Sequence, residues 1–182
     1  MDYESLKSLF IDRVSIREYS TKGVNNSLVT KIIEATEYAP SSCNRQSIKV
    51  KIIKKDEETF DILSKANYGG SGFAKSAAAL VLVLVDTRSY FMPMEMNFPI
   101  NDGSIFATYF MLIAKTLGLD TCWVSWQASF KQKKKIYDEL NIEQYYLPIC
   151  VLTLGYREGK VIESPREDAD YYILSNTSEK TE

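Results

Sequence analysis

Leu80-Val81-Leu82-Val83-Leu84-Val85 is a run of six consecutive aliphatic residues, the pattern expected of a β-strand covered on both faces. A strand of that kind sits in the middle of a sheet with other layers above and below it. Working outward, Ser47 to Lys54 alternates enough to be a second core strand, and Tyr146 to Gly155 is the last strong strand candidate. Cys122 to Trp126 is a short β-prone segment between them. Helical spacing is carried by Leu6, Leu9, Phe10 and Arg13 to Val14, and by Leu28, Val29, Ile32, Ile33, Ala35 and Ala39, with Asn25, Asn26 and Ser27 supplying a cap. Asp102 reads as the cap of a helix running to Leu117, Gly118 as its stop, and residues from about Phe130 to Leu140 as one more helix. The alternation predicts a mixed α/β domain with helices on both faces of one sheet. From Gly159 onward the chain turns charged and loses its apolar period, so residues 159–182 read as a tail that wraps over something.

The chain has 182 residues, 45% of them hydrophobic, which suits one domain burying roughly 70% of its unfolded surface. Net charge is -2 with both signs interspersed, unlike the basic stripe that a nucleic-acid backbone requires. Cys43, Cys122 and Cys150 lie far apart, without zinc-site spacing, and fit a reducing cytoplasm. Asp2 and Glu4 stand where a secretion signal carries positive charge. The apolar stretch Ile105 to Leu117 is broken by Thr108 and Lys115 and is shorter than the ~20 residues of a membrane span. Histidine is absent, which removes Ser-His and Cys-His nucleophile pairs and every His-based metal site.

Two stretches could carry chemistry. In Arg13-Val14-Ser15-Ile16-Arg17, two cations and a hydroxyl occupy every second position. On an extended segment these three side chains share a face, while Val14 and Ile16 anchor the other side. Forked guanidinium donors suit phosphate and other planar anions, although taken alone the pattern is also that of a solvated edge strand. In Ala39-Pro40-Ser41-Ser42-Cys43-Asn44-Arg45-Gln46, Pro40 stops the preceding helix and short hydrogen-bonding side chains crowd a turn. By composition that is equally a plain loop. The Gly69-Gly70-Ser71-Gly72 run reads as a turn, and Tyr90 to Pro99, rich in Met and Phe, as either a roof over a ligand or a subunit interface. Cys43 and Cys122 read as packing residues, and Trp123, Trp126, Tyr109 and Phe110 as core.

Taken in order, Arg-x-Ser-x-Arg followed by Ala-Pro-Ser-Ser-x-Asn-x-Gln resembles the opening of the nitroreductase family of FMN-dependent oxidoreductases. The likeness continues through Leu80 to Asp86, Asp102-Gly103, Leu117-Gly118-Leu119-Asp120-Thr121-Cys122-Trp123, and Leu147-Pro148 to Leu154-Gly155-Tyr156. It spans Leu6 to about Arg166. The resemblance implies a three-layer α+β fold, a central, mostly antiparallel sheet flanked by helices, and an obligate homodimer with two shared flavin sites. It implies that Arg13, Ser15 and Arg17 meet the FMN phosphate and the flavin pyrimidine, with Arg17 nearest the ring. Pro40, Ser41, Ser42 and Asn44 match the loop that the neighbouring subunit contributes. Trp123, Val124 and Ser125, with Trp126, match the segment beside the reactive edge of the ring, and Arg166 matches a basic residue that closes on the phosphate. Three departures bear on substrate class: Ser47-Ile48 replaces Pro and a large aromatic, Ser125-Trp126 stands where glycine is common, and Ser164 replaces a basic residue.

Flavin chemistry lets a chain without histidine be an enzyme, because the cofactor carries the hydride and the protein positions and polarises. A guanidinium fixed near N1 and O2 stabilises the reduced ring, the role assigned to Arg17. The expected activity is hydride transfer from NADH or NADPH to a nitroaromatic, a quinone or a similar small acceptor in a ping-pong cycle, with no metal, nucleic acid or membrane involved. The alternative is a non-catalytic protein of the same fold, carrying flavin or serving only as an interaction domain. A generic phosphate-binding module rests on the arginines alone.

Overall fold

The aliphatic run forms strand β2 (Ala79–Asp86), and it lies inside the sheet as its composition requires. The computed structural model describes residues 2–65, 72–161 and 164–174. Beside β2 run β1 (Ile48–Lys54) and β4 (Tyr146–Gly155), and β3 (Asp120–Ser125) pairs with the far edge of β4. The order is β1-β2-β4-β3, and every neighbouring pair is antiparallel.

Alternation along β2 divides its side chains between two layers. Leu80, Leu82 and Leu84 join Val151 of β4 in one core, against Phe60 and Leu63 of α3 (Thr59–Ser64) and Ile136 and Tyr137 of α5 (Phe130–Glu139). Ala79, Val81 and Val83 join Leu152 and Leu154 in the other. There they meet Val29 and Ile32 of α2 (Asn26–Thr36) and Ala107, Phe110 and Ala114 of α4 (Phe98–Thr116). The three-layer expectation therefore holds, with the first helix, α1 (Tyr3–Asp12), burying none of its residues.

Several sequence readings shift. Asp102 is not a cap: α4 begins four residues earlier, with Pro99 in its first turn, and Asp102 lies buried inside the helix. Gly118 does end it, at φ 74°. Helix α2 stops at Thr36, before Pro40, so the proline does not terminate it. Trp126 falls outside β3. Phe110 is fully buried, but Tyr109 is exposed and Cys43 is exposed too, because neither points into a core layer. Trp123 and Trp126 are half-buried against opposite cores. Of the glycine loop read at residues 69–72, only Gly72 falls within the described residues. No helix among them is long and apolar enough to cross a membrane.

Candidate functional site

The chain leaves α1 at Arg13, whose N–H donates to the Leu9 carbonyl, and turns extended. Ser15 then bridges Thr121 of β3 in parallel sense, and the Ile16 N–H donates to the Thr121 carbonyl at 3.0 Å. Ile16 is buried while Ser15 and Arg17 are exposed, so the alternation read in the sequence is realised over these residues. Arg13, Ser15 and Arg17 line one cleft of about 550 Å³, and Ser164 and Arg166 from the tail line it as well. Lys160 adds a further cation, and Glu18 and Glu158 are the two carboxylates on its wall. Four cations against two carboxylates suit an anionic group.

Arg17 also borders a second, smaller cavity of about 180 Å³, shared with Phe73, Cys122, Trp123, Val124, Ser125 and Gln127. Its guanidinium lies 5.7 Å from the centre of the Phe73 ring. The Trp123 indole N–H donates to Ser125 Oγ at 3.1 Å, which fixes the wall of this cavity. Burial pushes the Cys122 thiol up, opposed by the Arg17 charge, a hydrogen bond with Ser15 and the Arg13 charge. Cys122 thus stays a neutral packing group on the wall of the smaller cavity.

Pro40, Ser41, Ser42 and Asn44 line neither cavity. Their loop is instead hung on α4: the Asp102 carboxylate accepts from Ser42 N–H at 2.9 and 3.0 Å, from Ser42 Oγ at 2.8 Å and from the Tyr90 hydroxyl at 2.6 Å. Cys43, Asn44 and Gln46 all take positive φ, near 50°, so the loop is a tightly specified turn. Arg45, next in line, pairs with Glu95 at 2.5 Å. Within this chain the arginine segment and this loop therefore share neither cavity, one being tied to β3 and the other to α4.

Sequence reasoning missed Lys160, Phe73 and Gln127 as site residues, and missed Asp102 as the loop's anchor. Lys160 and Phe73 sit in stretches without a local pattern, and only the tail's return and the turn before β2 bring them to Arg17.

The profile of the nitroreductase family matches residues 11–70 and 62–156. This chain belongs to the nitroreductase family. A protein of Archaeoglobus fulgidus, provisionally named an NADH dehydrogenase/NAD(P)H nitroreductase, is 28% identical over 169 residues, covering 93% of this chain and 90% of that protein. The FMN reductase [NAD(P)H] of Bacillus subtilis strain 168 is 26% identical over 178 residues, covering 90% of this chain and 70% of that protein. Among solved structures, an FMN-dependent nitroreductase from Clostridium difficile R20291 superposes with a TM-score of 0.78 at 27% identity, covering 93% of this chain and 98% of that one. A family structure from Desulfovibrio desulfuricans, solved in complex with FMN, superposes with a TM-score of 0.81 at 21% identity, covering 97% of this chain and 99% of that one, and speaks to the fold. The nitroreductase architecture, with its antiparallel sheet between helical layers, is thus common to this chain and its solved relatives.

Proposed function

We propose that this nitroreductase is an FMN-dependent oxidoreductase that passes reducing equivalents from NADH or NADPH to a small acceptor such as a nitroaromatic or a quinone. The observation that carries the reading is the convergence of Arg13, Ser15, Arg17 and Arg166 on one cleft that meets the Trp123–Ser125 wall at Arg17. The names of the Bacillus subtilis and Clostridium difficile relatives support the cofactor and the nicotinamide reductant.

The donor set fits FMN. Arg13, Lys160 and Arg166, with the hydroxyls of Ser15 and Ser164, suit a phosphate dianion. Phe73, Trp123, Val124 and Ser125 offer a mixed wall to a planar ring. When bound, the cofactor supplies the hydride chemistry. Arg17, which lines both cavities, would supply positive charge to a flavin bound across them and so favour its reduced, anionic form. Val124 is buried and Trp123 half-buried, so this wall would shield a ring seated against it from water.

Pro40, Ser41, Ser42 and Asn44 lie away from their own subunit's cleft, which supports a homodimer in which each loop serves the other subunit's site. Exposed apolar side chains on α1 and α4, among them Phe10, Ile11, Ile100 and Tyr109, supply surface for such an interface. The experiment is anaerobic mixing of FMN-loaded protein with NADH or NADPH, followed by steady-state kinetics with a quinone. Bleaching of the visible flavin band and parallel double-reciprocal lines are expected. FMN binding without bleaching by either nicotinamide would make the protein a flavin carrier, and intersecting lines would rule out a ping-pong cycle.

A further inference from the structure

Tyr19 continues the every-second-residue spacing of Arg13, Ser15 and Arg17, yet it is buried, at 5% exposure, while Arg17 and Glu18 before it are both exposed, so the alternation slips by one residue. Its hydroxyl makes two bonds: it donates to the Ile16 carbonyl at 2.8 Å and lies 2.6 Å from Thr153 Oγ1. A carbonyl can only accept, so the one phenolic proton goes to Ile16, and the Thr153 hydroxyl donates to Tyr19 in preference to its other acceptor, the Cys122 carbonyl, at the longer 3.3 Å. Thr153, fully buried on β4, in turn accepts from the Cys122 N–H at 2.9 Å. The result is a directed chain of three hydrogen bonds. It runs from the backbone of β3, next to Trp123, to the peptide carbonyl between Ser15 and Arg17.

Ile16 is thereby fastened at both backbone groups, its N–H to Thr121 and its carbonyl to Tyr19. Burial pushes the Tyr19 hydroxyl's pKa far up, so the phenol keeps its proton and the direction of the chain is fixed. The ring beneath the hydroxyl is seated on Gly155, where an added Cβ would lie 2.8 Å from Tyr19 Cδ1. A larger residue at 155 would push the ring, and the chain with it, out of place.

We propose that Tyr19 and Thr153 are positioning residues that set the spacing between the Arg17 guanidinium and the Trp123–Ser125 wall, and so tune both the affinity and the potential of the bound flavin. The proposal rests on the reading of this cleft as the FMN site. Tyr19→Phe keeps the ring and deletes only the bond to Ile16 and the acceptor for Thr153. Thr153→Val breaks the chain at its middle, and Thr153→Ser restores the hydroxyl.

The experiment measures the FMN dissociation constant by flavin fluorescence and the two-electron potential of the bound flavin, with the folded fraction checked by thermal melting. For Tyr19→Phe and Thr153→Val, about a tenfold weaker affinity and a more negative potential are expected, in the direction Arg17→Ala moves them. Thr153→Ser should stay close to the parent protein in both. A folded Tyr19→Phe with unchanged affinity and potential, while Arg17→Ala changes them, would overturn the positioning role and leave the cleft reading standing. An Arg17→Ala protein with unchanged affinity and potential would sink the cleft reading and this inference together. Should Tyr19→Phe fail to fold, the contrast between Thr153→Val and Thr153→Ser decides: equal behaviour of the two contradicts the proposal.

Discussion

Glu95 is buried to 1% exposure and still ionised. Its carboxylate takes the Arg45 guanidinium at 2.5 Å and the N–H groups of Phe91 and Met92 at 3.1 Å each. The Arg45 bond first, then the backbone donors, hold the Glu95 carboxyl below the ordinary carboxylate range. A depressed acid stabilises the fold above its unfolded pKa, about 4.3, and that contribution fades as pH falls through the lower folded value. Thermal melts from neutral pH to acid should therefore show stability falling below about pH 4.3 in the parent. Glu95→Gln should melt lower at neutral pH and lose part of that dependence; an unchanged acid limb would contradict the assignment. None of this was legible in sequence, because Arg45 and Glu95 are fifty residues apart. Arg13, Ser15 and Arg17 were legible because spacing on an extended segment is local geometry. Tyr19 was not, because the in-and-out alternation slips by one residue before it and its partner Thr153 lies 134 residues away in sequence.

Elements were legible wherever hydrophobic period and punctuation agreed: β2, β4, α5 and the Gly118 stop lie close to where the sequence puts them. The start of α4 was misread because Asp102 before an apolar run imitates a cap, whereas its carboxylate is spent on Ser42 and Tyr90. Strand order and register depend on pairings across distant segments and leave no local trace. Such a pairing brings Ile149 against α4, beside the irregularity where the β2–β4 register shifts between Val83 and Leu84. A Cβ at Gly103 would lie 2.5 Å from Ile149 Cγ1 and 3.0 Å from Val85 Cγ2, so the helix rests on the sheet through a glycine. Gly103→Ala gains about 1 kcal/mol of helix propensity but overpacks this contact by about 1–3 kcal/mol. Denaturant unfolding should show a net loss of stability, up to about 2 kcal/mol. A gain would mean that α4 shifts freely over Ile149.

At the scale of the whole molecule, a single chain assembles the cationic cleft and the Trp123 wall but leaves the Pro40–Asn44 loop outside both and apolar side chains exposed. In the tail, Tyr171, Tyr172, Ile173 and Leu174 are all exposed, a run of apolar surface that the described residues leave uncovered. The family was legible from the order of short motifs along the chain, and its profile covers the sheet and the helices around it. On the function proposed above, two copies of this chain together form the flavin site. Sedimentation velocity of the protein mixed with FMN, followed in the visible flavin band, tests that claim most directly. Flavin colour moving with a species of twice the chain's mass is the predicted result. Flavin that stays behind at the free-cofactor rate, or that travels with a single chain, would contradict it.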